Sequence, residues 1–292
     1  MSRGFITLGI DTDEDKIKHC YTLACSLKII DPNAEICLVV DKGRLDMISD
    51  YYSHVFDYIV ELPYGNSAYK DGFHGMNLWQ LYHCTPFDET IYLDYDTILI
   101  NIDLDTLWEL MATNDISFPG NANNYKGFSA ARHLRFEYEI QYKLPKLYYN
   151  IIYWKQKSAL AIEWFKMADP VLQNWRDVYS KVFTDKKPQD FEKNVLCNLV
   201  THFLDLELDT RIFLNNHTDL HRFSHGIFNE DVPDRWTEFM NTWVTNYQKI
   251  QIENYILPSG IIHYSDETFL TDEVMHVYRT KFITDSKKRK ST

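Results

Sequence analysis

Two aspartates set two residues apart, Asp94 and Asp96, interrupt an otherwise apolar run from Ile91 to Ile100. On an extended backbone, positions i and i+2 point the same way, so the spacing predicts two carboxylates facing one spot at the end of a strand. Side by side they repel, and burying them uncompensated is costly. A hard divalent cation relieves both problems, because Mn²⁺ or Mg²⁺ prefers oxygen ligands in octahedral geometry. Such an ion also grips a diphosphate and stabilises the charge that develops as it leaves. The implied chemistry is transfer of whatever group the diphosphate carries. A solvated turn between two strands is the other reading of Asp-x-Asp. The apolar runs on both sides favour the metal.

The elements that must position this pair alternate along the first hundred residues. Phe5–Gly9 reads as a strand, and a helical pattern follows through Ile17, Tyr21, Ala24 and Leu27. Ile36–Val40 is a second strand, flanked by turn residues on both sides; helical and strand-like pieces follow over Leu45–Leu62. A helix around Leu78–His83, a Thr85-Pro86 break and the strand Ile91–Leu93 complete the series. This succession predicts βαβ units on a mainly parallel sheet, which binds ligands at the C-terminal ends of its strands. Farther on, Ile151–Trp154 and Gly260–Tyr264 read as strands. Ser158–Met167, Glu192–Leu204 and the chain from Thr271 onward read as helices, while 121–126 is a polar loop and 132–146 mixes aromatics with charge. No Pro-, Gly- or Ser-rich linker interrupts the chain. One domain over 1–284 is expected, followed by a basic, flexible tail at 285–292 that carries Lys287-Lys288-Arg289-Lys290.

Composition narrows the classes. The 292 residues are 45% apolar and 15% aromatic, which suits a packed core. A formal charge of −12 argues against a nucleic-acid backbone as partner. The five cysteines are odd in number and lack CxxC spacing, so they read as reduced thiols in a reducing compartment. With no leader-like segment and no apolar run of ~18 residues, a cytoplasmic chain without a membrane span is expected. In that setting the sequon Asn216-His217-Thr218 carries no meaning.

From Trp79 to Trp108 the chain resembles glycogenin-like glycosyltransferases of the GT-A class, the family 8 type. The resemblance lies in Leu81-Tyr82, Thr85-Pro86-Phe87-Asp88-Glu89-Thr90, Ile91-Tyr92-Leu93-Asp94-Tyr95-Asp96-Thr97, Asn101-Ile102-Asp103-Leu104 and Leu107-Trp108. It is dense over about thirty residues and looser elsewhere. It implies a GT-A fold: a mainly parallel twisted sheet flanked by helices, with a Rossmann-like nucleotide-binding half and an acceptor half. It further implies a hexosyltransferase that takes sugar from a UDP-sugar with retention, Asp94-Tyr95-Asp96 holding Mn²⁺ (or Mg²⁺) and the diphosphate. Phe5-Ile6-Thr7-Leu8 with Ala24–Lys28 is similar to the family's first strand and helix, so Thr7, Leu8 and Gly9 are expected to line base and ribose. Ile261-Ile262-His263-Tyr264 matches the family's late strand, which makes His263 the third metal ligand. Asp190 and Glu192 match an acidic pair near the reacting sugar.

The chain departs from the family in three places: Leu78 stands sixteen residues before Asp94 where a Lys is common, Tyr148-Tyr149-Asn150 replaces Asn-Ser-Gly, and Ser265-Asp266-Glu267 follows His263 in place of Lys-Pro-Trp. Arg279 or Lys281 is the expected substitute cation. Trp154, Trp164 and Trp175 read as core or as sugar platforms. The expected partners are the nucleotide-sugar donor and a glycan, protein or other acceptor, with oligomerisation open. Two rivals remain at this level. One is a degenerate relative that binds nucleotide or glycan without turnover. The other is a phosphatase of the haloacid dehalogenase type, disfavoured by Ile98 and by the βαβ elements that precede the motif.

Overall fold

Near-continuous apolar runs become strands with both faces buried. In the computed structural model these are β1 (Arg3–Leu8), β2 (Ile36–Val40) and β3 (Tyr58–Glu61), with α1 (Glu14–Ile30) and the one-turn α2 (Asp50–Ser53) between them. The structure describes residues 1–10, 14–68, 72–127, 141–184, 188–206, 211–212, 214, 217–220 and 236–290. A 3-10 segment at His74–Gln80 and the short α3 (Leu81–Cys84) lead to β4 (Glu89–Leu93). There follow β5 (Thr97–Ile100), α4 (Leu104–Met111), β6 (Ile116–Pro119), β7 (Ile151–Lys155), α5 (Ala159–Gln173), α6 (Trp175–Val182) and α7 (Lys193–Phe203). The chain then forms β8 (Arg211–Ile212), β9 (His217–Asp219), β10 (Thr242–Asn246), β11 (Lys249–Ile252), β12 (Tyr255–Leu257), β13 (Gly260–His263) and α8 (Asp272–Lys290).

The main sheet has seven strands in the order β3-β2-β1-β4-β7-β6-β8. β3, β2, β1 and β4 run parallel, β7 lies antiparallel to both its neighbours, and β8 is parallel to β6. The architecture is therefore α/β, with a mainly parallel sheet flanked by helices, as expected. The sheet separates two cores, and its residues alternate between them: Phe5, Ile91 and Leu93 face one, Ile6, Leu8 and Tyr92 the other. Strand order reverses at β1, which has β2 on one side and β4 on the other. Open α/β sheets leave a ligand crevice outside the strand ends at such a point.

Several expectations change in detail. Asp94–Asp96 is a turn between β4 and β5, not extended strand. Helix α5 runs past Met167 to Gln173 with Pro170 inside it, because Val171 and Leu172 bury against the core. Helix α8 takes in residues 285–290, where the basic run was expected as a separate tail. There the Lys281–Asp285 pair supports it, and cations in a last turn suit the helix dipole. The short strands β6 and β8–β12 have no counterpart among the sequence expectations. Residues 132–140, Lys187 and Asn216 lie outside the described residues.

Candidate active site

The Asp94–Asp96 turn is held from both flanks by extensions of the sheet ladders. The Asp94 N–H donates to the Asn150 carbonyl beyond β7 (3.0 Å), and the Tyr264 N–H donates to the Asp96 carbonyl beyond β13 (2.9 Å). β13 pairs antiparallel with β5 in a register that sets His263 opposite Thr97. Ligand atoms of Asp94, Asp96 and His263 consequently lie within 4.8 Å of one another. The two carboxylates converge because the chain turns sharply between them, and the imidazole joins through strand pairing.

Both aspartates are buried, at 7% exposure each. Asp96 Oδ1 lies 3.0 Å from His263 Nε2 and accepts no well-aligned hydrogen bond. Ser265 Oγ is 3.2 Å from His263 Nδ1, an arrangement that fixes the ring and leaves Nε2 as the ligating nitrogen. Ser265 itself sits at φ 59°, a left-handed conformation that costs a non-glycine residue ~1 kcal/mol or more.

Asp94 is more fully partnered. Its Oδ1 accepts from the Tyr92 hydroxyl (2.9 Å) and the Tyr95 N–H (3.2 Å), and its Oδ2 takes the Lys193 ammonium. Burial pushes this carboxyl up, but the Lys193 charge, His263 and the Tyr92 hydroxyl together hold it below the usual carboxylate range. Burial and the adjoining Asp94 charge raise Tyr92 well above an ordinary phenol. An orphaned buried carboxylate oxygen, a second carboxylate and an imidazole form a donor set that fits Mn²⁺ or Mg²⁺.

The site opens into a cleft of about 360 Å³. Leu8, at the end of β1, lines it together with Leu78, His74 and the first residues of α7. Of the stretch expected to meet a nucleotide, Leu8 faces the cleft, whereas Thr7 is buried against Cys20 (3.9 Å) and a Cβ on Gly9 would meet Leu38, Cys20 and Ile17. Tyr95 also lines the cleft, and its hydroxyl is held by Lys16 and Glu267 (2.8 Å each). Glu192 lines the cleft as the N-cap residue of α7. Asp190 is exposed and is not among the lining residues.

Neither expected substitute cation reaches the cleft. Arg279 stacks over Tyr51 at 4.1 Å and Lys281 bonds Asp285 at 2.8 Å, and neither is among the residues that line it. Among the described residues, the lysine that lines the cleft is Lys193, which no sequence argument selected; its only signal was its place directly after Glu192. Trp154, Trp164 and Trp175 are core residues, 0%, 0% and 5% exposed. The aromatic wall of the cleft is instead Phe73 stacked on Phe191, centroids 5.0 Å apart.

No protein-family profile matches the chain, and no curated protein matches it. Among solved structures it is similar to the galactosyltransferase LgtC, crystallised with donor and acceptor sugar analogs, at 14% identity and TM-score 0.45, over 68% of this chain and 70% of that one. It is also similar to the glycosyltransferase GlyE of Streptococcus pneumoniae TIGR4 at 15% identity and TM-score 0.42, over 73% of this chain and 45% of that one. Mouse xyloside xylosyltransferase 1 is similar at 9% identity and TM-score 0.43, over 73% and 85%.

Proposed function

We propose that this chain is a metal-dependent glycosyltransferase of the GT-A class, glycogenin-like, that takes a sugar from a nucleotide-diphosphate donor. The observation that carries the reading is the convergence of Asp94, Asp96 and His263 in a cleft at the β1/β4 reversal of strand order. Asp94, Asp96 and His263 would hold Mn²⁺ or Mg²⁺. An ion bound there supplies charge stabilisation to a departing diphosphate. Leu8, backed by Thr7 and Gly9, meets base and ribose, and Tyr95 keeps the motif turn in place. Of the acidic pair Asp190 and Glu192, either of which could position the sugar or its acceptor, Glu192 is the one that lines the cleft, and Asp190 is exposed. The identification of the donor as a UDP-sugar and the retention of anomeric configuration rest on the resemblance of residues 79–108. The acceptor is a glycan, a protein or another hydroxyl-bearing molecule. Five buried, unpaired cysteines support a reducing, cytoplasmic setting. Among the described residues no helix is long and apolar enough to cross a membrane.

The test is thermal stabilisation by UDP that requires Mn²⁺ and disappears in the Asp94→Ala, Asp96→Ala double variant. Slow UDP-sugar hydrolysis without acceptor would follow. Wild-type protein indifferent to UDP with Mn²⁺ would sink the reading.

One observation favours a second reading, a protein that binds nucleotide without turnover. Asp94 already carries an ammonium partner in Lys193, so its conservation of charge balance does not by itself require an ion. UDP binding with no turnover of any nucleotide-sugar would favour this reading.

A further inference from the structure

Lys193 is the first residue of α7, and its ammonium bonds Asp94 Oδ2. A cation in the first turn of a helix stands against the positive end of the helix dipole. The ammonium is held in place by the Asp94 carboxylate of the candidate metal site rather than by its own helix. Its side chain is 22% exposed and lines the cleft, which leaves it room to turn toward the opening.

A divalent ion on Asp94 and an ammonium on the same carboxylate repel each other strongly at such separations. Asp94 Oδ1 already accepts from the Tyr92 hydroxyl and the Tyr95 N–H, so an ion bound to Asp94 competes with Lys193 for Oδ2. The anion that enters this cleft with a nucleotide is its diphosphate, and Lys193 is the lysine or arginine among the described residues that line the cleft. We propose that Lys193 is a displaceable counter-ion: its ammonium sits on Asp94 until a divalent ion binds there, then turns to the diphosphate of the nucleotide. The inference rests on the metal–diphosphate reading above. It makes ion and nucleotide binding interdependent, since an ion alone must compete with Lys193 while a nucleotide offers the displaced ammonium a new partner.

The experiment measures Mn²⁺ binding and UDP binding by calorimetry in wild-type protein, Lys193→Met and Lys193→Gln, with melting curves to verify folding. Both variants should bind Mn²⁺ alone more tightly, by about tenfold or more, and bind UDP at saturating Mn²⁺ more weakly by a similar factor. Unchanged or weaker Mn²⁺ affinity in the variants overturns the proposal and leaves the metal reading standing. Tighter Mn²⁺ binding with undiminished UDP affinity also overturns it. If wild type and variants all fail to bind Mn²⁺, the metal reading falls and the proposal with it. A readout in the unsubstituted protein guards against misfolded variants: acetylation of Lys193 by a low dose of acetic anhydride, followed by mass spectrometry of its peptide. Labelling should rise when Mn²⁺ is added and fall again when UDP follows; labelling indifferent to Mn²⁺ contradicts the proposal.

Discussion

His263 stands opposite Thr97 across the β5–β13 pair, and that register brings its Nε2 to 3.0 Å from Asp96 Oδ1. The imidazole reaches the motif through pairing between strands more than 150 residues apart in the chain. A shift of one residue would turn His263 to the opposite face of its sheet.

The metal site can be tested by its ligands alone. His263→Ala should lower Mn²⁺ affinity by at least about tenfold, since loss of even an outer partner of a metal ligand costs 10- to 100-fold. Asp190→Ala should leave it within about twofold, as a surface substitution does. Equal effects of the two changes in a calorimetric titration would contradict the assignment.

The motif turn has its own brace. The Tyr95 hydroxyl joins Lys16, which is 7% exposed, to Glu267 on the turn after β13. Tyr95→Phe should destabilise the protein by about 1 kcal/mol in urea unfolding, the ordinary worth of such a hydrogen bond. No change in the midpoint would mean that the Lys16–Glu267 ion pair suffices without it.

Asp103 caps helix α4, accepting from the Thr106 hydroxyl (2.8 Å) and from the Asp105 and Thr106 amides (3.0 and 3.3 Å). These bonds, the Thr106 hydroxyl foremost, hold its carboxyl below the usual range. With the folded value depressed, the contribution to stability is complete above the unfolded value near ~3.9 and is lost as pH falls through the folded one. The stability gap between wild type and Asp103→Ala should therefore be flat from about pH 5 upward and shrink below about pH 4. The gap between Asp103→Asn and Asp103→Ala should not vary with pH, because the amide caps without titrating. Urea unfolding across pH reads both.

All five cysteines are buried and unpaired. Burial pushes Cys20, Cys25, Cys84 and Cys197 up to about 12 and raises Cys37 as well. Thiolate, the reactive form, is then scarce at pH 8. An aromatic disulfide reagent should modify none of the five in the native protein and all five once it is unfolded. A rapidly reacting thiol in the native state would show that a core segment opens.

Much of the α/β scaffold could be read directly. Ile36–Val40 is the predicted strand to the residue, and Ile151, Glu192 and Gly260 mark elements that begin within one residue of expectation. Those segments carry strong local signals, either apolar runs between turn residues or a clear helical period. The helix expected to end at Met167 runs on to Gln173 because the penalty for the proline at 170 is local, while the burial of Val171 and Leu172 that outweighs it comes from the core. The strands β10–β12 were missed because they are short and only half-buried, so their alternation is faint.

Residue order alone determined that Asp94 and Asp96 are near neighbours after an apolar strand, and that a sheet edge would display them. Tertiary structure decided what stands around them. Lys193 lies 99 residues from Asp94, and Arg279 and Lys281 face elsewhere on α8. Which cation enters the cleft depends on how α7 and α8 pack against the sheet, and packing between distant segments leaves no periodic trace in a single chain. Local periodicity specifies the elements; the pairing of distant surfaces selects which charges meet.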